Sequence, residues 1–203
     1  MAKLAITTVH GLNPFDCVSA LQKFIRRGME REAGAIAFQL GMTNKQMFSW
    51  LCNRLRVISH EDIGLADMQA VMFTETAISQ AEKVYPKPAW RLMIGNAIRA
   101  LCRAPKSREG DHYQAVCWYS QEIEGNIPEI PEWTMDGHTA YGKKRNRGIE
   151  YFKQVSAVLK PEPAYDPYEA DAYRLWELKQ QRGENDDDDS EGGEGTTTQG
   201  RLL

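Results

Sequence analysis

The chain has 203 residues, 42% hydrophobic and 26% charged, with a formal net charge of -3; that is enough apolar material for a packed core, and no apolar run reaches the roughly 18 residues a membrane-spanning helix needs. The charge is unevenly placed: residues 183–203 hold seven acids and one base, while residues 1–160 hold 21 bases and 16 acids, a net +5. A mildly basic body with an acidic tail is therefore expected, a balance compatible with a nucleic-acid partner.

The segment Met1 to Asn13 carries one lysine and no long apolar stretch. It does not read as a secretory signal, and a cytoplasmic location is expected. Leu4 to Val9 is the only strand candidate, and it is a weak one. Asn13-Pro14-Phe15-Asp16 starts a helix: an Asn cap, proline at the first helical position and an acid in the first turn. Val18, Leu21 and Ile25 then recur at helical steps until Gly28. A second helix is expected over Met29 to Leu40, with Ala33, Ile36, Ala37 and Leu40 on one face and Gly41 as its stop. A third follows the Thr43-Asn44 cap and carries Met47, Leu51, Leu55 and Ile58 towards Gly64. Asp67 caps a fourth (Val71, Ile78, Ala81, Val84), which Pro86-Lys87-Pro88 breaks. A fifth uses Met93, Ala97, Ala100 and Leu101 and ends before Pro105. A sixth spans about Asp111 to Glu124 on Tyr113, Val116, Cys117 and Ser120 or Ile123.

Beyond it, Ile127 to Trp133 reads as an extended connector and Asp136 to Arg147 as a polar, glycine-broken loop. Gly148 to Lys160 is expected to be helical, with Ile149, Phe152, Val155 and Leu159 inward. Asp166-Pro167 opens one more amphipathic stretch on Tyr168, Ala172, Leu175 and Trp176. From Gly183 the composition is that of a disordered acidic tail. The fold class is all-α, a helical array. The expected organisation is a helical domain over residues 1–160, a linker with an amphipathic helix over 161–182, and the tail over 183–203.

Cys17, Cys52, Cys102 and Cys117 form no CxxC pair, and each sits in an apolar helical pattern, so small buried core residues are expected. His10, His60, His112 and His138 are scattered without metal-ligand spacing, so no metal and no cofactor is assigned. Gly137 to Lys144 matches GxxxxGK, the start of a phosphate-binding loop. Lys144 stands where that loop needs Ser or Thr, and prolines precede it instead of a strand.

The densest positive run is Lys143, Lys144, Arg145 and Arg147. Flanking glycines would let backbone amides approach an anion, and His138 or Tyr141 would offer a stacking surface. A second cluster, Arg99, Arg103, Lys106 and Arg108, surrounds the end of the fifth helix, where cations also complement the helix dipole. These eight cations are the candidate nucleic-acid contacts. Glu61 and Asp62 are adjacent, so they diverge on a helix and suit an ion-pair node with Arg54 and Arg56, with Arg99 or Arg103 as further spatial neighbours, better than acid/base catalysis. No catalytic residue is assigned, and the chain is read as a non-enzyme.

Three segments resemble the C-terminal region of the RarA/MgsA family of AAA+ ATPases, relatives of the clamp loaders. Val18-Ser-Ala-Leu-Gln-Lys-Phe-Ile-Arg-Arg-Gly28 is similar to that family's SALHKSIRGS helix. Arg54-Leu-Arg-Val-Ile-Ser-His-Glu-Asp-Ile-Gly-Leu-Ala-Asp67 is similar to its RLVRIASEDIGLAD segment, the most specific of the three. Ala104-Pro-Lys-Ser107 resembles its APKSN. The resemblance covers residues 16–125 well and 126–160 loosely. It implies a helical collar and a homo-oligomer, a tetramer, acting with DNA in replication, repair or recombination beside an AAA+ ATPase or single-strand-binding protein. The family's phosphate-binding loop, Walker B acids and sensor residues have no counterpart in these residues, so ATP hydrolysis is not carried over. The run Trp133 to Gly148 departs from the family's histidine- and arginine-rich ending, and DNA-contacting residues are not carried over either.

The leading reading is a non-catalytic oligomerisation and DNA-associated module, with an ATPase supplied in trans. The alternative is an adaptor or inhibitor of a phage or mobile element, using the helix at Tyr168 to Gln181 and the acidic tail to bind a host replication, repair or defence protein.

Overall fold

Side-chain caps set the helix starts. In the computed structural model, which describes residues 7–160 and 169–181, Asn13 Oδ1 accepts the Phe15 N–H at 2.9 Å and opens α1, Pro14–Arg26. Asn44 accepts from Met47 N at 2.9 Å and opens α3, Lys45–Asp62. Asp67 accepts from Ala70 N at 2.9 Å and opens α4, Met68–Val84. Each satisfies one of the N–H groups a helix start leaves without a partner. Gly28, at φ 70°, closes α1: Met29 N donates to Phe24 O at 2.9 Å and Gly28 N to Ile25 O at 3.0 Å, the paired bonds of a Schellman stop.

Between these lie α2, Glu30–Thr43, and α5, Trp90–Arg103, followed by α6, Glu109–Glu122. The core is built largely from the expected stripes, but α5 turns Ile94 and Ile98 inward, which the sequence reading did not name, while Met93 and Ala100 are half-buried. Leu21, Ile25, Leu40, Leu51, Leu55, Ile58, Ile78, Ile94, Ile98 and Leu101 are all buried, each contributing about 1.5–3 kcal/mol relative to exposure. α4 packs on α5 and α1 on α2; α2 also meets α3 and α5. Phe48 stacks on Tyr85 at 4.1 Å between centroids and meets Trp90 edge-on at 5.3 Å.

That aromatic cluster explains one departure from the sequence reading. Gly41 does not stop α2; it lies inside it, and the helix runs to Thr43. A Cβ at Gly41 would fall within the Trp90 ring, so this glycine makes room for the indole. α2 ends where Asn44 turns extended at φ -167°.

A second departure is α6. Its helical stripe is real in spacing, but none of its residues is buried. Tyr113, Val116, Tyr119 and Ile123 are 71, 67, 52 and 76% exposed, and Cys117 is exposed where a core position was expected. The other three cysteines are buried.

The chain divides into two compact units, Met1–Ile127 and Pro128–Leu203; the domain end expected at residue 160 falls within the second. There, Asp136 to Arg147 is not all loop: it contains α7, Ala140–Lys144, capped by Thr139. Gly148 to Lys160 forms only a turn of helix, α8, Ile149–Tyr151, continuing as a wide turn over Phe152–Ser156. Leu159, expected inward, is 60% exposed. α9 is Glu169–Gln181. Among the described residues there is no strand, and no helix is long and apolar enough to cross a membrane. Leu4 to Ile6 of the strand candidate lie outside the described residues, as do Asp166 to Tyr168 and the acidic tail.

Candidate nucleic-acid interface

The acid pair at the end of α3 is held in ion pairs by Arg26, not by the Arg54 and Arg56 that the sequence suggested. Asp62 is 1% exposed. Arg26, from α1, places Nε 2.6 Å from Asp62 Oδ1 and Nη2 2.8 Å from Glu61 Oε1. Gln22 Nε2, one turn earlier on α1, donates to Asp62 Oδ2 at 3.0 Å. A carboxylate at a helix C-terminus is disfavoured by the dipole, and here both of its oxygens are satisfied by α1. Glu61 also lies 3.9 Å from Arg108.

Arg54 and Arg56 do not serve this node. At about 100° per residue, Arg56 and Asp62 leave α3 roughly 120° apart, and Arg54 sits about 12 Å earlier along the axis. Arg56 instead joins α3 to α4, gripping Glu75 with Nε at 2.8 Å and Nη2 at 3.1 Å, and Glu82 with Nη1 at 3.1 Å and Nη2 at 3.0 Å. Hydrogen bonding from Arg56 holds the Glu75 carboxyl below its ordinary range. Arg99 and Arg103 are likewise committed elsewhere. Sequence reasoning missed Gln22 and Arg26; their i, i+4 spacing places them on one face of α1, but no local pattern connects them to acids 36 residues away.

The eight candidate cations separate by what already holds them. Arg103 Nε lies 2.5 Å and Arg99 Nε 3.5 Å from Glu30. Lys106 Nζ donates to Cys102 O at 2.9 Å and Ala104 O at 2.6 Å, capping the end of α5, and burial lowers its pKa. Arg108 pairs with Asp111. The cluster around the end of α5 is therefore spent on helix ends and on joining α2 to α5.

In the second unit, the Gly137 to Lys144 turn is closed on itself. His138 N donates to Asp136 Oδ1 at 3.0 Å, Thr139 N to Asp136 O at 3.1 Å, Gly142 N to Thr139 Oγ1 at 3.0 Å and Lys143 N to Thr139 O at 2.9 Å. A Cβ at Gly142 would overlap the Asp136 carbonyl, and one at Gly137 would press on the Arg147 carbonyl. The glycines serve this close packing. The expected cradle of backbone amides is corrected: these N–H groups already have acceptors, and no strand leads in, so the GxxxxGK match is not a phosphate loop.

Arg147 is the staple of this unit. It is 13% exposed, with Nη2 2.7 Å from Glu132 Oε1 and Nη1 donating to Glu132 O at 2.7 Å and Met135 O at 2.8 Å. Its guanidinium also lies 4.5 Å from the Tyr151 ring centre. Tyr141, expected as a stacking surface, is occupied: Arg145 lies over its ring at 3.5 Å and its hydroxyl donates to Glu132 at 2.8 Å. Arg145 remains exposed, with its Nε 3.9 Å from Glu132. Lys143 and Lys144 are exposed, and no acid pairs with either among the described residues.

Elsewhere, an open cleft of about 450 Å³ between α3 and α6 is lined by Arg56, Val57, His60, Glu61, Gly110, Asp111 and Gln114. Among the described residues, no group of three His, Cys, Asp or Glu is placed to hold a metal ion.

The family described as MgsA AAA+ ATPase C terminal matches residues 35–188. The chain is 34% identical over 138 residues to the replication-associated recombination protein A of Bacillus subtilis (strain 168), an alignment covering 68% of this chain and 32% of that protein. The chain thus spans about a third of the length of the curated relative it matches.

Proposed function

Because the chain belongs to the family of MgsA AAA+ ATPase C-terminal regions, we propose that it is a non-catalytic, self-associating, DNA-associated module of replication and recombination that works with an ATPase supplied in trans. The observation that carries the self-association is α6. It is a helix of 14 residues with no buried position, yet Tyr113, Val116, Trp118, Tyr119 and Ile123 are apolar or aromatic and more than half exposed. An isolated helix of this length is marginal in water and is normally held by packing an apolar face. Large exposed apolar patches mark association surfaces. α4 adds Met68 and Met72, 61 and 70% exposed. A second copy of the chain supplies matching apolar surface, and a closed symmetric assembly, a tetramer on this reading, buries it.

The test is solution mass by size exclusion with light scattering on the full chain. A defined oligomer is expected at tens of micromolar, with Val116→Glu/Ile123→Glu shifting the mass towards monomer while leaving the helical circular dichroism unchanged. A wild-type monomer at that concentration refutes the reading.

A further inference from the structure

Of the eight cations that the sequence offers as DNA contacts, six have a partner: Arg99 and Arg103 with Glu30, Lys106 with two carbonyls, Arg108 with Asp111, Arg147 with Glu132 and Met135, and Arg145 with Glu132 at 3.9 Å, longer than a hydrogen bond. Detaching a hydrogen-bonded cation to hold a phosphate forfeits its existing bonds, so it gains little from the exchange. Lys143 and Lys144 meet no acid among the described residues, and Arg145 gives up only that long contact. They leave the C-terminal end of α7 in succession and are exposed. The turn that carries them is pinned from beneath by Arg147, by the Thr139 cap and by the two glycine contacts. The chain reverses immediately after them at Asn146, φ 52°, with Arg147 N bonded back to Gly142 O at 3.1 Å.

Resting on the reading of a DNA-associated module, we propose that Lys143, Lys144 and Arg145 form a phosphate-contacting surface for DNA, held in shape by Arg147. The contacts are made by side chains, because the amides of His138, Thr139, Gly142, Lys143, Arg145, Asn146 and Arg147 are already bonded. Base sequence is not read: the three cations meet phosphates, which carry no sequence information. Lysine suits this role as a point charge on a flexible stem, and Arg145 is preorganised by lying flat on Tyr141. The occupant is a polyanion with closely spaced charge, the phosphodiester backbone of DNA, which these cations complement.

The test is fluorescence anisotropy of the full chain with a labelled oligothymidine and a mixed-sequence duplex, each titrated at several salt concentrations. Lys143→Ala/Lys144→Ala/Arg145→Ala is compared with wild type and with a charge-matched control, Lys45→Ala/Lys83→Ala/Lys87→Ala, which removes three exposed lysines of the first unit. Removing three phosphate contacts should make the slope of log K against log salt shallower by about 2 on single strands and about 2.7 on duplex. At low salt the turn variant should bind at least tenfold more weakly to every sequence, with the control near wild type. Four results would overturn the inference: no binding by wild type, an unchanged slope in the turn variant, equal loss in the control, or displacement of DNA by polyglutamate at matched charge. Light scattering on the same samples keeps the outcomes separate, since an oligomer that binds no DNA removes this surface and leaves self-association standing.

Discussion

Replacing Arg26 by Met isolates the central electrostatic feature of the first unit. Asp62 is 1% exposed and receives two side-chain hydrogen bonds, from Arg26 Nε at 2.6 Å and Gln22 Nε2 at 3.0 Å; the same guanidinium also grips Glu61 at 2.8 Å. Met retains most of the apolar stem of Arg26 while deleting both charge-assisted bonds. Removing one partner of a buried pair costs about 3–5 kcal/mol. Arg26 is itself 30% exposed and Gln22 keeps one oxygen of Asp62 bonded, so the expected cost falls below that range, at about 2–3 kcal/mol. For a chain of this size that lowers Tm by roughly 4–12 °C. Urea unfolding of the full chain measures it. Arg26→Met/Asp62→Asn should regain about 1–2 kcal/mol over Arg26→Met alone, because the buried charge is gone and the amide of Gln22 still has an acceptor. A cost below about 1 kcal/mol for Arg26→Met, or strict additivity in the double variant, would show that Asp62 is solvated or neutral and that the node is not structural.

Three further outcomes are expected. Cys117 should react with a thiol reagent at the rate of a free cysteine. Cys17, Cys52 and Cys102 should label only on unfolding, because burial pushes the thiols of Cys52 and Cys102 up to about 12 and about 11; fast labelling of a second site would contradict the packing. Gly41→Ala should destabilise the chain by about 1–3 kcal/mol through the clash with Trp90, and Trp90→Phe should recover part of that loss; a neutral Gly41→Ala would show the indole free to move. Hydrogen bonding from Arg56 and from Arg103 depresses the carboxyls of Glu75 and Glu30 below their ordinary 4.5, so their contribution is present above that value and lost as pH falls through the folded-state range. The urea midpoint should therefore drop on acidification below about pH 4.5, less steeply in Glu75→Gln, and a midpoint that rises there would contradict the sign.

The helices were legible because their determinants are local. A cap such as Asn13, Asn44 or Asp67 bonds an N–H two or three residues away, and a stripe such as Leu51, Leu55 and Ile58 is a matter of spacing. The resemblance to the MgsA C-terminal family was legible for the same reason, resting on contiguous runs such as Glu61 to Asp67. Tertiary structure decided the rest. Spacing gives α6 an apolar face but cannot say whether that face meets the core, and it does not. Gly41 carries the sequence mark of a helix stop, yet Trp90, 49 residues on, makes it a packing seat. The cation for Asp62 comes from another helix, because Arg56 points away from it at a fixed angular step and reaches α4 instead. Composition shows eight candidate cations. Only the fold, by bringing acids and carbonyls to the others, leaves Lys143 and Lys144 without an acid among the described residues and Arg145 with one only at 3.9 Å: ion pairs form between side chains close in space, and sequence distance does not record that.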